Sequence, residues 1–212
     1  MTDIPVTGAV LKWAREFRGL TEEEAADRLG LAIDDLRAYE AGEKRPNLTM
    51  FENFAAKYRL PQATLFRRTP PQTKSMPSDF RTVEGGSPQF SFDFRVGLSN
   101  VRSLLGMFER VAEEDDEFVV PKLPLVSMDQ NPEDAGEAER KRLGVTVEQQ
   151  LEWPKSEAFR RWRSRLEELG VIVFQQKFDV RDCRGFTLYE TKFAPCIVVN
   201  KADPSEAAKI FT

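Results

Sequence analysis

Histidine is absent from this 212-residue chain, and its absence removes whole classes of chemistry. Catalytic zinc sites are built mostly from histidine, often together with a carboxylate. Nucleophilic pairs of the Ser-His and Cys-His types also need an imidazole. We therefore expect this chain to have no catalytic residue, no metal site and no cofactor, and to act by binding.

Cysteine is scarce, since the chain has only Cys183 and Cys196. A secreted domain of this size usually carries more, so the sequence predicts a reducing, cytoplasmic environment. Two thiols are too few for a closed zinc site, and we expect both to be small packing residues. No apolar stretch approaches the roughly 20 residues of a membrane span. Residues 1–10 show no signal-peptide pattern, so a membrane partner is not expected.

An excess of positive charge is also missing, because the net charge is −4. Proteins that coat nucleic acid or lie on membranes usually carry surplus lysine and arginine. Hydrophobic residues make up 41% of the chain and charged residues 31%, which allows a buried core and disfavours disorder throughout. One local DNA-reading surface remains compatible with this balance.

The first 67 residues show a regular series of helix signals. Apolar residues at helical spacing predict a first helix that ends near Gly19. Thr21 and Glu24 have the spacing of a capping box, which begins a second helix. Gly30 permits a tight turn, and a third helix is predicted from about Ala32 to Ala41. Its inner face is predicted to consist of Ile33, Leu36 and either Tyr39 or Glu40.

Two further helices complete this series. Asn47 or Thr49 can cap the fourth helix, and Glu52 would complete a second capping box from Thr49. A short fifth helix is predicted to end near Phe66. Because the caps, the turn glycine and the apolar spacing agree, the sequence predicts an all-α domain of five helices over residues 1–67.

The run from Leu36 to Pro46 reads LRAYEAGEKRP and resembles the end of the recognition helix in XRE-family repressors. In that family an aromatic-Glu pair is followed by x-Gly-x-x-x-Pro, as Tyr39-Glu40 is here. The resemblance covers residues 6–67. It implies a helix-turn-helix domain whose third helix enters the major groove of DNA.

The resemblance places the DNA-reading positions on the third helix and in the turn after it. These positions are Ala32, Asp34, Asp35, Arg37, Ala38, Lys44 and Arg45. The two aspartates are unfavourable beside phosphates, and other side chains are the usual base readers. The candidates to hold phosphates are Arg37, Lys44, Arg45 and Lys57. Two interpretations stay open: a DNA operator as partner, or a helical module kept for protein contacts.

A proline-rich segment follows these helices. Residues 69–77 cannot propagate a helix or a sheet ladder, so we predict an interdomain linker over residues 68–88 and a second domain over residues 89–212. A heptad stripe of apolar residues predicts one long helix over about residues 90–114. The stripe is either a dimerisation surface or a face packed in its own domain, and the width of the apolar face favours the second.

The rest of the second domain shows helix signals and then strand signals. Asn131-Pro132 and the pair Thr146 with Gln149 begin helices, and Gly170 ends one. Short β-branched or aromatic runs then predict strands at residues 171–174, 186–189 and 196–199. The predicted fold class is α+β, mostly helical, with a small antiparallel sheet.

This second domain resembles the ImmA/IrrE family of zinc metallopeptidases. The matching pieces are RKRLG at 140–144, Trp162-Arg163, LEELGVIVF at 166–174, GFT at 185–187 and IVVN at 197–200. In that family a helix that opens with Phe-Thr carries His-Glu-x-x-His, whose histidines bind zinc and whose glutamate is the general base. Here Phe211-Thr212 are the last residues. The resemblance implies an incomplete zincin-like domain, with zinc expected only in a longer parent protein.

Two functions follow from these patterns. The first is a transcriptional regulator or antitoxin-like protein that binds DNA, a repressor or a toxin through its helix-turn-helix domain and a non-catalytic remnant. The alternative is a fragment of a zinc-dependent endopeptidase that cleaves a repressor or regulator, with its metal motif beyond Thr212. We also expect self-association through the helix at 90–114 or through a sheet left uncovered by the missing helix.

Overall fold

The computed structural model describes residues 3–77, 80–81, 90–115, 120, 123–124, 126–127, 129–192 and 194–203. The chain divides into two compact units. The first consists of residues 1–76 and 90–96, and the second of residues 77–89 and 97–212. The domain boundaries predicted from the sequence, at residues 67 and 89, stay a prediction.

Within the described residues 3–76 of the first unit there are five helices, as the sequence predicted. They are α1 (Gly8–Phe17), α2 (Glu22–Leu29), α3 (Ile33–Ala41), α4 (Leu48–Lys57) and α5 (Gln62–Leu65). The predicted capping box of α2 is confirmed. The Thr21 hydroxyl accepts from the Glu24 backbone N–H at 3.2 Å, and the Glu24 carboxylate accepts from the Thr21 N–H at 2.9 Å.

The start of α4 settles the choice between two predicted caps. The Asn47 side-chain oxygen accepts from the Met50 backbone N–H at 2.9 Å. Thr49 lies inside the first turn of the helix, so the predicted capping box of Thr49 with Glu52 is wrong. The cause is the backbone of Asn47, which is still extended (φ −73°, ψ 174°), as an N-cap residue must be.

Aromatic and aliphatic side chains from all five helices form the core of the first unit. Its fully buried members include Val10, Leu11, Leu36, Phe51, Phe54, Tyr58 and Leu65. On α3 both of the predicted alternatives face inward: Tyr39 is buried and its ring meets Phe54 edge to face at 5.5 Å, and the Glu40 side chain is only 6% exposed. Trp13 on α1 stacks on Phe17 at 4.8 Å, and its Nε1 donates to the Thr73 hydroxyl at 2.9 Å.

A buried arginine ties the ends of three helices together in the first unit. The Arg18 guanidinium donates to the carbonyl oxygens of Tyr58 (2.7 Å), Arg59 (2.8 Å) and Arg95 (3.2 Å). Burial, together with the neighbouring charge of Arg59, lowers the pKa of Arg18 to about 10. The three carbonyls thus replace the water that a buried guanidinium loses.

In the part of the second unit that the structure describes, four helices accompany a sheet. The helices are α6 (Phe92–Glu114, whose first turn belongs to the first unit), α7 (Pro132–Arg142), α8 (Val147–Leu151) and α9 (Lys155–Glu168). The predicted caps at Asn131 and Thr146 are confirmed. Leu98, Val101 and Leu105 of the heptad stripe are buried, which favours core packing, and self-association stays a prediction.

The sheet is mixed, which corrects the antiparallel arrangement predicted from the sequence. Its strands are β1 (Phe80–Arg81), β2 (Ile172–Gln176), β3 (Gly185–Leu188) and β4 (Cys196–Asn200), in the order β1-β3-β4-β2. β4 lies antiparallel to β3 but parallel to β2. The reason is the chain path: after β2 the chain crosses to β3 on the far side of β4, and β4 then pairs antiparallel with β3, so that β4 runs in the same direction as β2.

The helix α9 covers one face of this sheet. Its Phe159 and Leu166 pack on Val171, Val173 and Val199, which are all buried. The ring of Trp153, which precedes α9, meets the ring of Trp162, within α9, edge to face with centroids 5.5 Å apart. Among the residues that the structure describes, no helix is both long and apolar enough to cross a membrane.

Gly8 lets α1 approach the end of α3 closely. A Cβ at Gly8 would lie 2.5 Å from the Glu40 carbonyl oxygen and 2.6 Å from the Gly42 nitrogen. Since both atoms belong to the backbone, Gly8→Ala should force the two helices apart and destabilise the first unit by about 1–3 kcal/mol. Native-state hydrogen exchange of the α1 and α3 amides measures this loss.

The matched control is Gly136→Ala on the exposed side of α7. No atom of the described chain lies within 4 Å of a Cβ built there. Alanine has the higher helix propensity by about 1 kcal/mol, so this substitution should stabilise α7. Equal and small effects of the two alanines would contradict the close approach at Gly8.

Candidate nucleic-acid interface

Two helices and a short turn form the candidate interface. α2 ends at Leu29 and is followed by Gly30, whose left-handed backbone (φ 69°) reverses the chain direction, a conformation that glycine adopts without steric cost. The Leu31 N–H then donates to the Ala26 carbonyl at 2.9 Å. α3 begins two residues later, at Ile33. This is the geometry of a helix-turn-helix.

A buried ion pair fixes the far end of α3 against α1. The Arg15 guanidinium binds both carboxylate oxygens of Glu40, with Nε–Oε1 at 2.8 Å and Nη2–Oε2 at 2.9 Å. The Arg15 Nη1 also donates to the Leu20 carbonyl at 3.2 Å. The two side chains are only 9% and 6% exposed. The hydrogen bond from Arg15 to Glu40 raises the pKa of Arg15, although burial opposes the shift.

The structure places the predicted DNA-reading residues on the outer side of α3 and in the turn after it. Ala32, Asp34, Arg37, Lys44 and Arg45 are exposed, and Asp35 and Ala38 are half-buried. Ala32 is the N-cap of α3 and makes no side-chain capping bond, because the alanine side chain has no hydrogen-bonding atom. Exposure alone therefore permits contact of these residues with a large partner.

Two of the cations predicted to bind phosphate already form ion pairs with carboxylates. The Arg37 Nε and Nη2 both lie 2.7 Å from Glu22 Oε2, and its Nη1 lies 3.5 Å from Asp34. The Lys44 Nζ lies 2.7 Å from Asp35 Oδ1. Glu22, which belongs to α2, was not among the residues that the sequence indicated. No local spacing rule points to a pair that is 15 residues apart.

These contacts continue the buried pair as a chain of alternating charges. From the core outward it runs Glu40, Arg15, Glu22, Arg37 and Asp34. Its middle link is the 4.0 Å separation of Arg15 Nη2 and Glu22 Oε1. We call these five residues the charge chain. It connects the buried contact between α1 and α3 to the exposed surface of α3.

The charge of this region as a whole is close to neutral. Residues 7–66 contain nine lysines and arginines against ten aspartates and glutamates. Within that range the structure describes three cations that lack both a carboxylate partner and a ring contact, namely Lys12, Arg45 and Lys57. Arg45 is the one of these that lies beside α3. The local positive field available to a phosphate backbone is therefore small.

Comparison with known families agrees with this geometry. A family model described as a helix-turn-helix domain matches residues 7–66. Residues 7–66 form a helix-turn-helix domain. No curated protein matches the chain. The match does not extend to the second unit, so the resemblance of residues 89–212 to the ImmA/IrrE family stays a prediction, as does the assignment of the helix-turn-helix to the XRE family.

Breaking the buried pair of Arg15 and Glu40 should destabilise the helix-turn-helix strongly. Glu40→Gln leaves a buried guanidinium without its counter-charge, which typically costs about 3–5 kcal/mol. Hydrogen exchange of the α1 and α3 amides measures the loss. The double variant Arg15→Met/Glu40→Met should recover most of it, because two apolar side chains replace the pair without leaving a charge. Equal stability of Glu40→Gln and the parent chain would contradict a buried pair.

Substitution of Tyr58, in contrast, should not destabilise the domain. The Tyr58 side chain is fully buried, and its hydroxyl has no hydrogen-bond partner among the described residues. Burial raises the pKa of Tyr58. Tyr58→Phe removes an unsatisfied polar atom without changing the ring, so we expect stability to stay the same or rise by about 1 kcal/mol. A loss larger than that in thermal denaturation would show that the hydroxyl has a partner.

Proposed function

We propose that this chain is a DNA-binding transcriptional regulator whose α3 enters the major groove. The observation that supports this most directly is the α2–turn–α3 geometry within residues 7–66, together with the family match over the same residues. In helix-turn-helix proteins the second helix of the motif meets base edges through its N-terminal residues. Here those residues lie from Ala32 to Ala38.

The side chains of α3 suggest which base contacts are available. Ala32 and Ala38 are small enough to contact a thymine methyl group, and Asp34 can accept from the amino group of cytosine. Arg37 has the geometry for a bidentate contact with guanine. Arg45, which follows the helix, is placed to hold a phosphate. Because the region is nearly neutral, we expect weak non-specific affinity and a shallow salt dependence.

We further propose that the chain acts by binding rather than by hydrolysis. It has no histidine. Burial raises the pKa of the Cys183 and Cys196 thiols to about 12, so both thiols are held in the form that binds metal poorly. Binding of a repressor or toxin protein, and the zinc-dependent endopeptidase alternative for a longer parent, stay predictions from the resemblance.

Selection of duplexes from a random DNA pool by the full chain, at low salt, tests the DNA-binding proposal. If α3 reads base edges in the major groove, the selected duplexes should be enriched in one sequence motif. Ala38→Glu adds a carboxylate to the surface of α3 and should abolish the enrichment, while circular dichroism checks that the helices remain. Failure of the folded parent chain to enrich any motif would overturn the proposal.

Arg45→Gln should weaken DNA binding by a similar factor for every sequence, because a phosphate contact carries no base information. The slope of log K against log salt concentration should become shallower by about 1. Fluorescence anisotropy with a labelled duplex measures both quantities. Lys155→Gln, which removes an exposed cation from α9, is the control and should change neither. A reduced affinity without a change in slope would assign Arg45 another role.

A further inference from the structure

We infer that Glu22 is an autoinhibitory residue, which holds Arg37 in an ion pair that DNA must displace. The inference rests on the proposed DNA-binding function and concerns its regulation. It starts from an asymmetry in the contacts of Arg37. Two of its nitrogens lie 2.7 Å from a single oxygen of Glu22, whereas Asp34 is 3.5 Å away and its side chain is 96% exposed. Glu22 is therefore the dominant partner.

Contacts other than the one with Arg37 hold Glu22 in place. It occupies the first position of α2, directly after the Thr21 cap, where the exposed N–H groups of a helix favour a negative charge. Its other carboxylate oxygen lies 4.0 Å from the Arg15 guanidinium, which the buried pair with Glu40 immobilises. The Glu22 side chain is 34% exposed and that of Arg37 is 56%. The acid is thus the fixed partner and the arginine the more mobile one.

When DNA binds Arg37, the Glu22 carboxylate is left in a less favourable electrostatic environment. A phosphate or guanine that takes Arg37 leaves Glu22 without its exposed counter-charge, near a dense array of negative charges. Breaking an exposed ion pair itself costs little, so the repulsion between the released carboxylate and the phosphates is the larger effect. Glu22 consequently lowers the affinity of the chain for DNA, and it reduces the number of cations available to bind phosphates.

Lys44 and Asp35 form a second pair on the same surface, but it lacks this anchor. The Lys44 and Asp35 side chains are both nearly half exposed, at 45% and 46%. Among the described residues, no arginine positions the Asp35 carboxylate as Arg15 positions that of Glu22. We therefore expect Asp35 to release Lys44 more readily than Glu22 releases Arg37, and Asp35→Asn to have the smaller effect.

The test compares charge-neutralising variants of the full chain. The probe is a fluorescein-labelled random-sequence duplex of about three helical turns, so that no operator need be known. Anisotropy titrations run between about 50 and 200 mM salt, where each phosphate contact adds a slope of roughly 0.9. Glu22→Gln should bind about fivefold to tenfold more tightly at the low end of this range, and its slope should steepen by about 1.

Two further variants separate release of Arg37 from a general change in charge. Glu52→Gln removes the same charge from α4, where the described residues show no partner for Glu52. It should raise affinity much less than Glu22→Gln. The double variant Glu22→Gln/Arg37→Gln should lose the added slope, which requires the Arg37 contact, although relief of the repulsion by Glu22 should still make it bind more tightly than the single variant Arg37→Gln. Hydrogen exchange of the α2 and α3 amides confirms that each variant is folded.

The outcomes distinguish this inference from the proposed function. Equal gains for Glu22→Gln and Glu52→Gln, or an added slope that survives removal of Arg37, would overturn autoinhibition by Glu22 while leaving DNA binding intact. Absence of binding by every folded variant at low salt would overturn both. A steeper slope that appears in Glu22→Gln and requires an intact Arg37 supports the inference.

Discussion

The helix-turn-helix depends on one buried contact, the bidentate pair of Arg15 and Glu40. This pair fixes the end of α3 to α1 at the place where Gly8 brings the two backbones together. A buried ion pair contributes less to stability than its geometry suggests, because both charges lose their hydration. Its main effect is directional, since two parallel hydrogen bonds specify the position of α3 more narrowly than apolar packing does. The surface offered to a partner is therefore defined from inside the domain.

The same pair also shapes the outer surface through the charge chain. Arg15 faces Glu40 in the core and Glu22 nearer the solvent, so each acid is oriented by the same guanidinium. Arg37 then takes its position from Glu22 rather than from α3 alone. Stability and electrostatics are consequently coupled in this domain, and a substitution made for one purpose will alter the other. A nearly neutral balance of charges in residues 7–66 makes such single changes matter more than they would on a strongly basic surface.

Local patterns predicted most of the fold, and non-local contacts account for what they missed. The Thr21 and Thr146 capping boxes, the turn at Gly30 and the ends of the helices follow from neighbouring residues, and the sequence shows them directly. Asn47 and Thr49 could not be separated in advance, since both are good caps within two residues of each other. The parallel pairing of β2 with β4 depends on how the chain crosses between strands, which periodicity does not encode. For the same reason the sequence identified Arg37 as a candidate but not Glu22, which reaches it from another helix.

The placement of the three tryptophans gives each unit its own optical label. Trp13, stacked on Phe17 and bonded to Thr73, belongs to the first unit. Trp153 and Trp162 lie against each other in the second. Because the chain has only these three, replacing Trp13 with phenylalanine silences the emission of the helix-turn-helix and leaves that of the other unit. Fluorescence of the two forms can therefore resolve whether the units melt together or one after the other.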